Sequence, residues 1–338
     1  MRGTATPART AGEISPPAKA EFLRWPEAFG SRFCLFIDTE EEFDWSRPFD
    51  RNARETTAVA ALPDAHRRLR DGGAAPAYLV DHPIATARQA IDAIGPLVEA
   101  GASVGAQLHP WVNPPFQETV DHHNSYPGNL RPALEMAKLD LLSEAITTNF
   151  GRRPRIYRAG RYGIGPETLA GLAHRGYRID SSMRARYDYR AAGGPGFARI
   201  GNRAFRRDGI VELPLTTIFT GMLRALGPAL YPMLGPVPKG RGAFARARLL
   251  SRVALTPEDM PLAEATEAIR IAAGEGIRLL NFSFHSPSLV PGFTPYVRDP
   301  ADLARFHGWW DGVLAELARL GYRSTNEAEL IEAIDAAG

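Results

Sequence analysis

Short apolar runs of strand length alternate along this chain with longer stretches in which apolar residues recur at helical spacing. Strands are predicted at Phe33–Asp38, Ala77–Val80, Ser103–Leu108, Ile156–Arg158, Tyr177–Asp180, Val211–Leu215, Leu279–Phe284 and Tyr322–Ser324. Helices are predicted over Thr56–Arg70, Ile84–Ala100, Arg131–Phe150, Pro166–Arg175, Pro261–Ala273, Ala301–Leu320 and Glu327–Ala336, with stops at Gly72–Gly73, Gly101 and Gly151. Strands that alternate with helices imply a parallel sheet, and this many units imply closure into a barrel.

Two segments interrupt the pattern. Trp111–Asn129 is a long Pro-, Asn- and His-rich loop, a length that is usually functional. Thr217–Leu255 reads as an insertion of apolar residues, glycines, prolines and arginines. The start of the chain is rich in Pro, Ala and charge, so residues 1–30 read as a disordered or loosely packed tail. The barrel then occupies 31–338, with the insertion at about 217–255.

Composition narrows the function classes. At 338 residues the chain suits a single α/β barrel, and 44% apolar content allows a sizeable core. Lys and Arg total 40 against 38 Asp and Glu, spread along the chain, which argues against nucleic acid as a partner. The lone cysteine, Cys34, excludes an internal disulfide and reads as a small core residue. There is no apolar signal-peptide core and no run of about 18 apolar residues. A cytoplasmic location follows as the expectation, and oligomeric state stays open. No phosphate-binding GxxxxGK[ST] loop and no GxSxG elbow is present, which leaves carboxylate, histidine and metal chemistry.

In a barrel the site lies at the C-terminal strand ends. Asp38, Asp81, His109, Arg158, Asp180 and His285 each fall at or just after such an end. Asp38 and Glu40 share a face after the first strand and suit a base and a metal ligand, whereas Glu41, Glu42 and Asp44 read mainly as an exposed acidic turn. Gln107 and His109 alternate on one strand face, and His109 is either a metal ligand or a hydrogen-bonded core histidine. Trp111, opening the loop beyond, suits a sugar face. Arg158 and Arg161 flank Gly160 at a strand-to-helix junction, where an arginine can fix a carboxylate and free N–H groups can meet an oxyanion. His285 ends the last strong strand and has the ordinary pKa of a general acid near neutrality. Trp309 and Trp310 lie on a helix and read as core.

With these clusters in order, the phrases LFIDTEEEFDW, GAQLHPWVNPPF, YRAGRYGIGPETL, YRIDSSM and FSFHSPSL resemble the polysaccharide deacetylase (NodB-homology) family, and within it the WalW-like subgroup. The resemblance runs from about Phe33 to Leu330. It implies a distorted (β/α)7-type barrel and a hydrolase of non-peptide carbon–nitrogen bonds, removing an N-acyl group, acetyl foremost, from a carbohydrate. It also implies a divalent metal, commonly zinc. Carried over by motif, Asp38 resembles the general base, Arg158 the arginine that orients it, and His285 the general acid. Tyr162 lies where a backbone N–H would face the oxyanion, with Arg161, Trp111 and Gln107 around the substrate. Glu40, His109 and Asp38 are the metal candidates.

Two departures stand out. Thr39 follows Asp38 where the family has a second aspartate, and the histidine pair spaced four apart has no counterpart at Gln107 and Trp111. The metal site is therefore rebuilt, weak or lost. A non-catalytic carbohydrate-binding protein on the same barrel is the alternative. The substrate could be lipid-linked. Met222–Leu255, with Arg224, Lys239, Arg241, Arg246, Arg248 and Arg252, reads either as a basic surface resting on an anionic membrane or as a lid or oligomer contact.

Overall fold

The structure is a computed structural model that describes residues 12–44 and 46–337. Its strands are β1 (Arg32–Thr39), β2 (Pro76–Val80), β3 (Ser103–Leu108), β4 (Ile156–Ala159), β5 (Ile179–Asp180), β6 (Phe205–Arg207), β7 (Ile210–Glu212), β8 (Thr217–Thr220), β9 (Ser251–Ala254), β10 (Leu279–His285) and β11 (Arg323–Ser324). The main sheet runs β10-β1-β2-β3-β4-β5-β7-β6, with β11 beside the start of β1. Every pairing in it is parallel except β6 with β7. Residues of β2 and β3 are buried throughout, as continuous apolar runs require when both sheet faces are covered.

The sheet curls into a distorted (β/α)7-type barrel. Strands β7 and β10 do not pair as strands. Asn281 bridges the gap instead: its Nδ2 donates to Leu213 O (2.7 Å) and to Ser181 Oγ (2.8 Å), and its backbone O accepts from Thr216 N (3.2 Å). A buried amide thus takes the place of a strand pairing.

Helices α1 (Leu62–Asp71), α2 (His82–Thr86), α3 (Arg88–Glu99), α4 (Pro132–Phe150), α5 (Thr168–His174), α6 (Gly227–Met233), α7 (Gly240–Arg246), α8 (Leu262–Gly274), α9 (Pro300–Arg319) and α10 (Glu327–Ala336) complete the fold. On α9, Phe306, Trp310, Val313 and Leu317 form one buried stripe. Phe306 and Trp310 meet Phe284 at 5.1 and 5.6 Å, so Trp309 and Trp310 are core as expected.

The helix predicted over Ile84–Ala100 is broken at Ala87, which is extended. Asp81 caps the first piece by accepting from Ile84 N, and Asn149 Nδ2 satisfies Ala85 O at its end (2.8 Å). The β6–β7 hairpin was not in the predicted pattern. Its turn is Asp208–Gly209, both at positive φ, which is a two-residue hairpin signal. The Thr217–Leu255 segment folds as the hairpin pair β8–β9 enclosing α6 and α7.

Of the residues read as a loose tail, 1–11 lie outside the described residues. Residues 12–30 run against the barrel: Glu13 bridges to Gly196, Phe22 to Phe205, and Leu23 and Phe29 are buried. A few large apolar side chains hold down a segment whose overall composition suggests a coil.

Candidate active site

Parallel strands share one direction, so the expected residues gather at one end of the barrel. Asp38, Glu40, Gln107, His109, Trp111, Arg158, Arg161, Tyr162 and His285 all line one cavity of about 460 Å3. Of the strand-end candidates, Asp38, His109, Arg158 and His285 reach this space, whereas Asp81 and Asp180 do not line it.

Two charge pairs form its floor. Arg158 Nη1 donates to Asp38 Oδ1 (2.5 Å), while Nε and Nη2 are tied to Ser181 O (2.9 Å) and Ser181 Oγ (3.0 Å). With Arg158 wholly buried, the guanidinium is fixed and holds the carboxylate in one orientation. Opposite, His285 Nδ1 bonds Glu258 Oε2 (2.7 Å), and Glu258 also accepts from Ser288 Oγ and from the backbone of His285. Burial disfavours the imidazolium, but Glu258 and Glu40 overcome it and raise the His285 pKa to about 10. Burial likewise opposes the Glu258 carboxylate, yet His285 keeps its pKa below the ordinary value. His285 Nε2 faces Asp38 Oδ2 at 3.9 Å.

Beside this floor stands His109. Its Nδ1 meets Glu41 Oε2 (2.8 Å), and its Nε2 faces Glu40 Oε2 (3.5 Å). Glu41 also accepts from Trp111 Nε1 (2.8 Å) and lies against Asp81, whose Oδ2 accepts from Glu41 N (2.8 Å). Burial raises the pKa of both carboxyls, and their mutual hydrogen bond raises Asp81 further while lowering Glu41. Glu41 accepts from Trp111 Nε1 and meets His109 Nδ1, while both oxygens of Asp81 accept backbone N–H groups, from Glu41 and from Ile84. Gly160 makes room for the ring, since a Cβ there would stand 2.4 Å from His109 Cδ2.

Glu41 was read as part of an exposed acidic turn, but it is fully buried. The acidic run leaves the strand end by turning into the barrel, so Glu41 points at β2 and β3. Glu258, the partner of His285, was not among the sequence candidates. It stands 27 positions away, and no local spacing links the two. Trp111 was expected to offer a face to a sugar. It is 3% exposed and its ring contacts His109 (4.4 Å) and Phe49 (4.6 Å), so it supports His109, and the half-buried Phe43 and Phe49 supply the aromatic wall.

Arg161 and Tyr162 both take left-handed conformations, with φ of 55° and 62°. Two such non-glycine residues in succession cost free energy, and the surroundings hold them there. Asp180 is not in the cavity. It is buried beneath the floor in register with Glu212.

A metal fits one side of His109 better than the other. Among the described residues, Glu41, Asp81 and His109 bring three ligand atoms within 4.8 Å. That group is closed off and its oxygens are already occupied by N–H donors. On the cavity side, Glu40 Oε2 and His109 Nε2 converge, and the buried Gln107 Oε1 beside them has no hydrogen-bond partner among the described residues. A histidine that uses Nδ1 on a carboxylate presents Nε2 as a ligand. An O/N donor set facing open space suits a divalent cation. Asp38 is engaged by Arg158 instead and does not join either group.

No family model matches this sequence, and no curated protein matches it. Solved structures do match in fold. A candidate polysaccharide deacetylase from Mycobacterium smegmatis is similar at a TM-score of 0.55 with 16% identity, covering 96% of each chain. PuuE allantoinase is similar at 0.50 with 13% identity, covering 90% of each chain. At such identities the likeness is one of fold, and it gives the barrel the architecture of polysaccharide deacetylases.

Proposed function

We propose that this protein is a hydrolase that removes an N-acyl group, acetyl foremost, from an amino sugar, and that it stands with the WalW-like polysaccharide deacetylases its motif phrases resemble. The observation that carries this reading is the pair Asp38 and His285, 3.9 Å apart and each fixed from behind by an opposite charge. A binding protein needs no such acid and base. The two fold neighbours, named as a polysaccharide deacetylase and an allantoinase, are in keeping with it.

Asp38, oriented by Arg158, takes a proton from a water held above Oδ2. The water oxygen attacks the acyl carbon, and the backbone N–H at Tyr162 faces the developing oxyanion. His285, protonated at neutral pH, gives its Nε2 proton to the departing amine as the C–N bond breaks. A divalent cation, zinc by the donor types, held by Glu40 and His109 would add Lewis acidity at the acyl oxygen. Gln107 and Arg161 border the sugar, and Glu41 with Trp111 keeps His109 in place.

The composition of the insertion supports a substrate that lies near a membrane surface. No described helix is long and apolar enough to cross a membrane. The 34 residues from Met222 to Leu255 carry six basic and no acidic side chains. Four of the seven exposed large apolar side chains among the described residues, Met222, Leu226, Met233 and Val237, lie there as well. That combination fits an anionic lipid surface and, with it, a lipid-linked sugar.

Release of free acetate from N-acetylated amino sugars, followed with the wild type and Asp38→Asn, tests the hydrolase reading. Sugar binding without acetate release, under every metal supplied, would favour the carbohydrate-binding alternative.

A further inference from the structure

The cavity carries more positive charge than the reaction uses. Four arginines line it. Arg158 is matched by Asp38, and Arg47 by Asp44 at 3.1 Å. Arg161 and Arg184 have no acidic partner among the described residues. Arg161 lies over the Tyr126 ring at 4.1 Å and the Phe49 ring at 5.1 Å, and its hydrogen bonds run to Ser125 Oγ, His122 O (3.4 Å) and His122 Nε2 (3.1 Å). Arg184 lies 4.0 Å from the Tyr187 ring and 5.5 Å from the Tyr162 ring, and its buried Nε has no hydrogen-bond partner among the described residues.

A guanidinium kept out of bulk water normally finds a carboxylate or phosphate. Aromatic faces compensate part of its charge, but they leave its N–H fork without a bidentate acceptor. Two such groups lining one cavity form a site for an anion. We propose that the substrate carries an anionic group, a carboxylate or a phosphate, held by Arg161 and Arg184 while its acyl group meets Asp38 and His285. This rests on the hydrolase reading for the acyl end only, since the anion contact is a matter of binding.

The test is calorimetric binding to the Asp38→Asn protein, which retains ligand while hydrolysis is blocked. The probes are N-acetylglucosamine, N-acetylglucosamine 1-phosphate, N-acetylmuramic acid, and glucose 1-phosphate, which has no acyl group. Either acidic acylated sugar is expected to bind at least about tenfold more tightly than the neutral one. The preference should shrink about tenfold in Arg184→Gln and in Arg161→Gln, and persist in Arg184→Lys, which keeps the charge should the glutamine variant fold poorly. Comparing the phosphate with the carboxylate shows which anion the site takes. Equal affinity for neutral and acidic sugars, or a preference that survives both glutamine variants, overturns the proposal. Glucose 1-phosphate binding through these arginines, with no acetate released from any sugar by the wild type, would uphold the anion site while removing the hydrolase reading.

Discussion

Asp38 and His285 are direct neighbours in register on two parallel strands, and their side chains reach the same cavity with Oδ2 and Nε2 3.9 Å apart. Parallel pairing of β1 with β10 sets that distance, and the two outer partners, Arg158 and Glu258, set the charges. Base and acid are therefore built by the sheet itself, from residues 247 positions apart in sequence. Asp38→Asn and His285→Gln are each expected to lower acetate release by about a hundredfold or more. Groups that act as a unit are non-additive, so the double variant should be little worse than the poorer single one. Steady-state kinetics on one N-acetylated sugar would show it, and full activity in either single variant would remove that residue from the mechanism.

The pH dependence of stability follows from the His285–Glu258 pair. The folded His285 holds its proton up to about 10 against an ordinary 6.5. Between those values the folded protein binds more protons than the unfolded chain, so stability falls as pH rises. The contribution is complete below about 6.5 and gone above about 10. Glu258, depressed below 4.5, adds stability that is lost as pH falls through its folded value. The denaturant midpoint of the wild type minus that of His285→Gln is thus expected to be greatest near pH 5–6 and to vanish above pH 10. A difference that stays constant from pH 6 to 10 would contradict the pairing.

Metal content separates the two sides of His109. Elemental analysis of protein purified without chelator should find a divalent metal, lost in His109→Ala and in Glu40→Gln. Glu41→Gln removes only the carboxylate behind the ring, so affinity should fall by about 10- to 100-fold without being abolished. If Asp81→Asn empties the site while Glu40→Gln leaves it full, the cation sits in the buried group and the cavity-side assignment is wrong.

Much of this was readable from the chain because barrel chemistry sits where apolar strands end. Asp38, His109, Arg158 and His285 could be placed from the alternation of strands and helices alone. What stayed hidden depends on direction and long-range contact. Glu41 looks like turn acid until the backbone after β1 bends inward and buries it, since strand periodicity gives no guide once the strand has ended. Glu258 precedes a helix far from His285 and meets it only in three dimensions. The strand read at Val211–Leu215 overlaps β7, but the three residues of β6 carry too little alternation to be recognised across the Asp208–Gly209 turn.

Lys138 shows how the long loop after β3 is held. It is fully buried on α4, and its Nζ donates to Pro110 O (3.0 Å) and Asn113 O (2.6 Å) while meeting Glu118 Oε1 at 3.1 Å. Burial alone would make the ammonium costly, so these three oxygens must be present together. Lys138→Met is expected to cost about 3 kcal/mol, because two carbonyls and a carboxylate lose their donor. Chemical denaturation measures it. A loss under about 1 kcal/mol would mean that water takes over the three acceptors.

The insertion gives the last prediction, and charge decides it. An apolar patch on its own could bury itself against another copy of the chain, but the six basic side chains of the segment would then repel across such an interface, since Glu264 and Glu267 beside Arg224, Arg246 and Arg248 offset only part of that charge. An anionic bilayer removes that conflict, since each arginine near the surface adds about 1 kcal/mol of attraction and Met222 and Met233 can enter the headgroup boundary. The protein should sediment with vesicles containing phosphatidylserine or phosphatidylglycerol and not with phosphatidylcholine alone. Raising the salt to about 0.5 M should weaken binding, because screening acts within a few ångströms at that strength. Arg246→Glu with Arg248→Glu should weaken it further, and Met222→Ser with Met233→Ser should reduce binding even at low salt. Salt-independent binding to neutral vesicles, or none to any vesicle while the chain dimerises, would assign the patch to a protein contact instead.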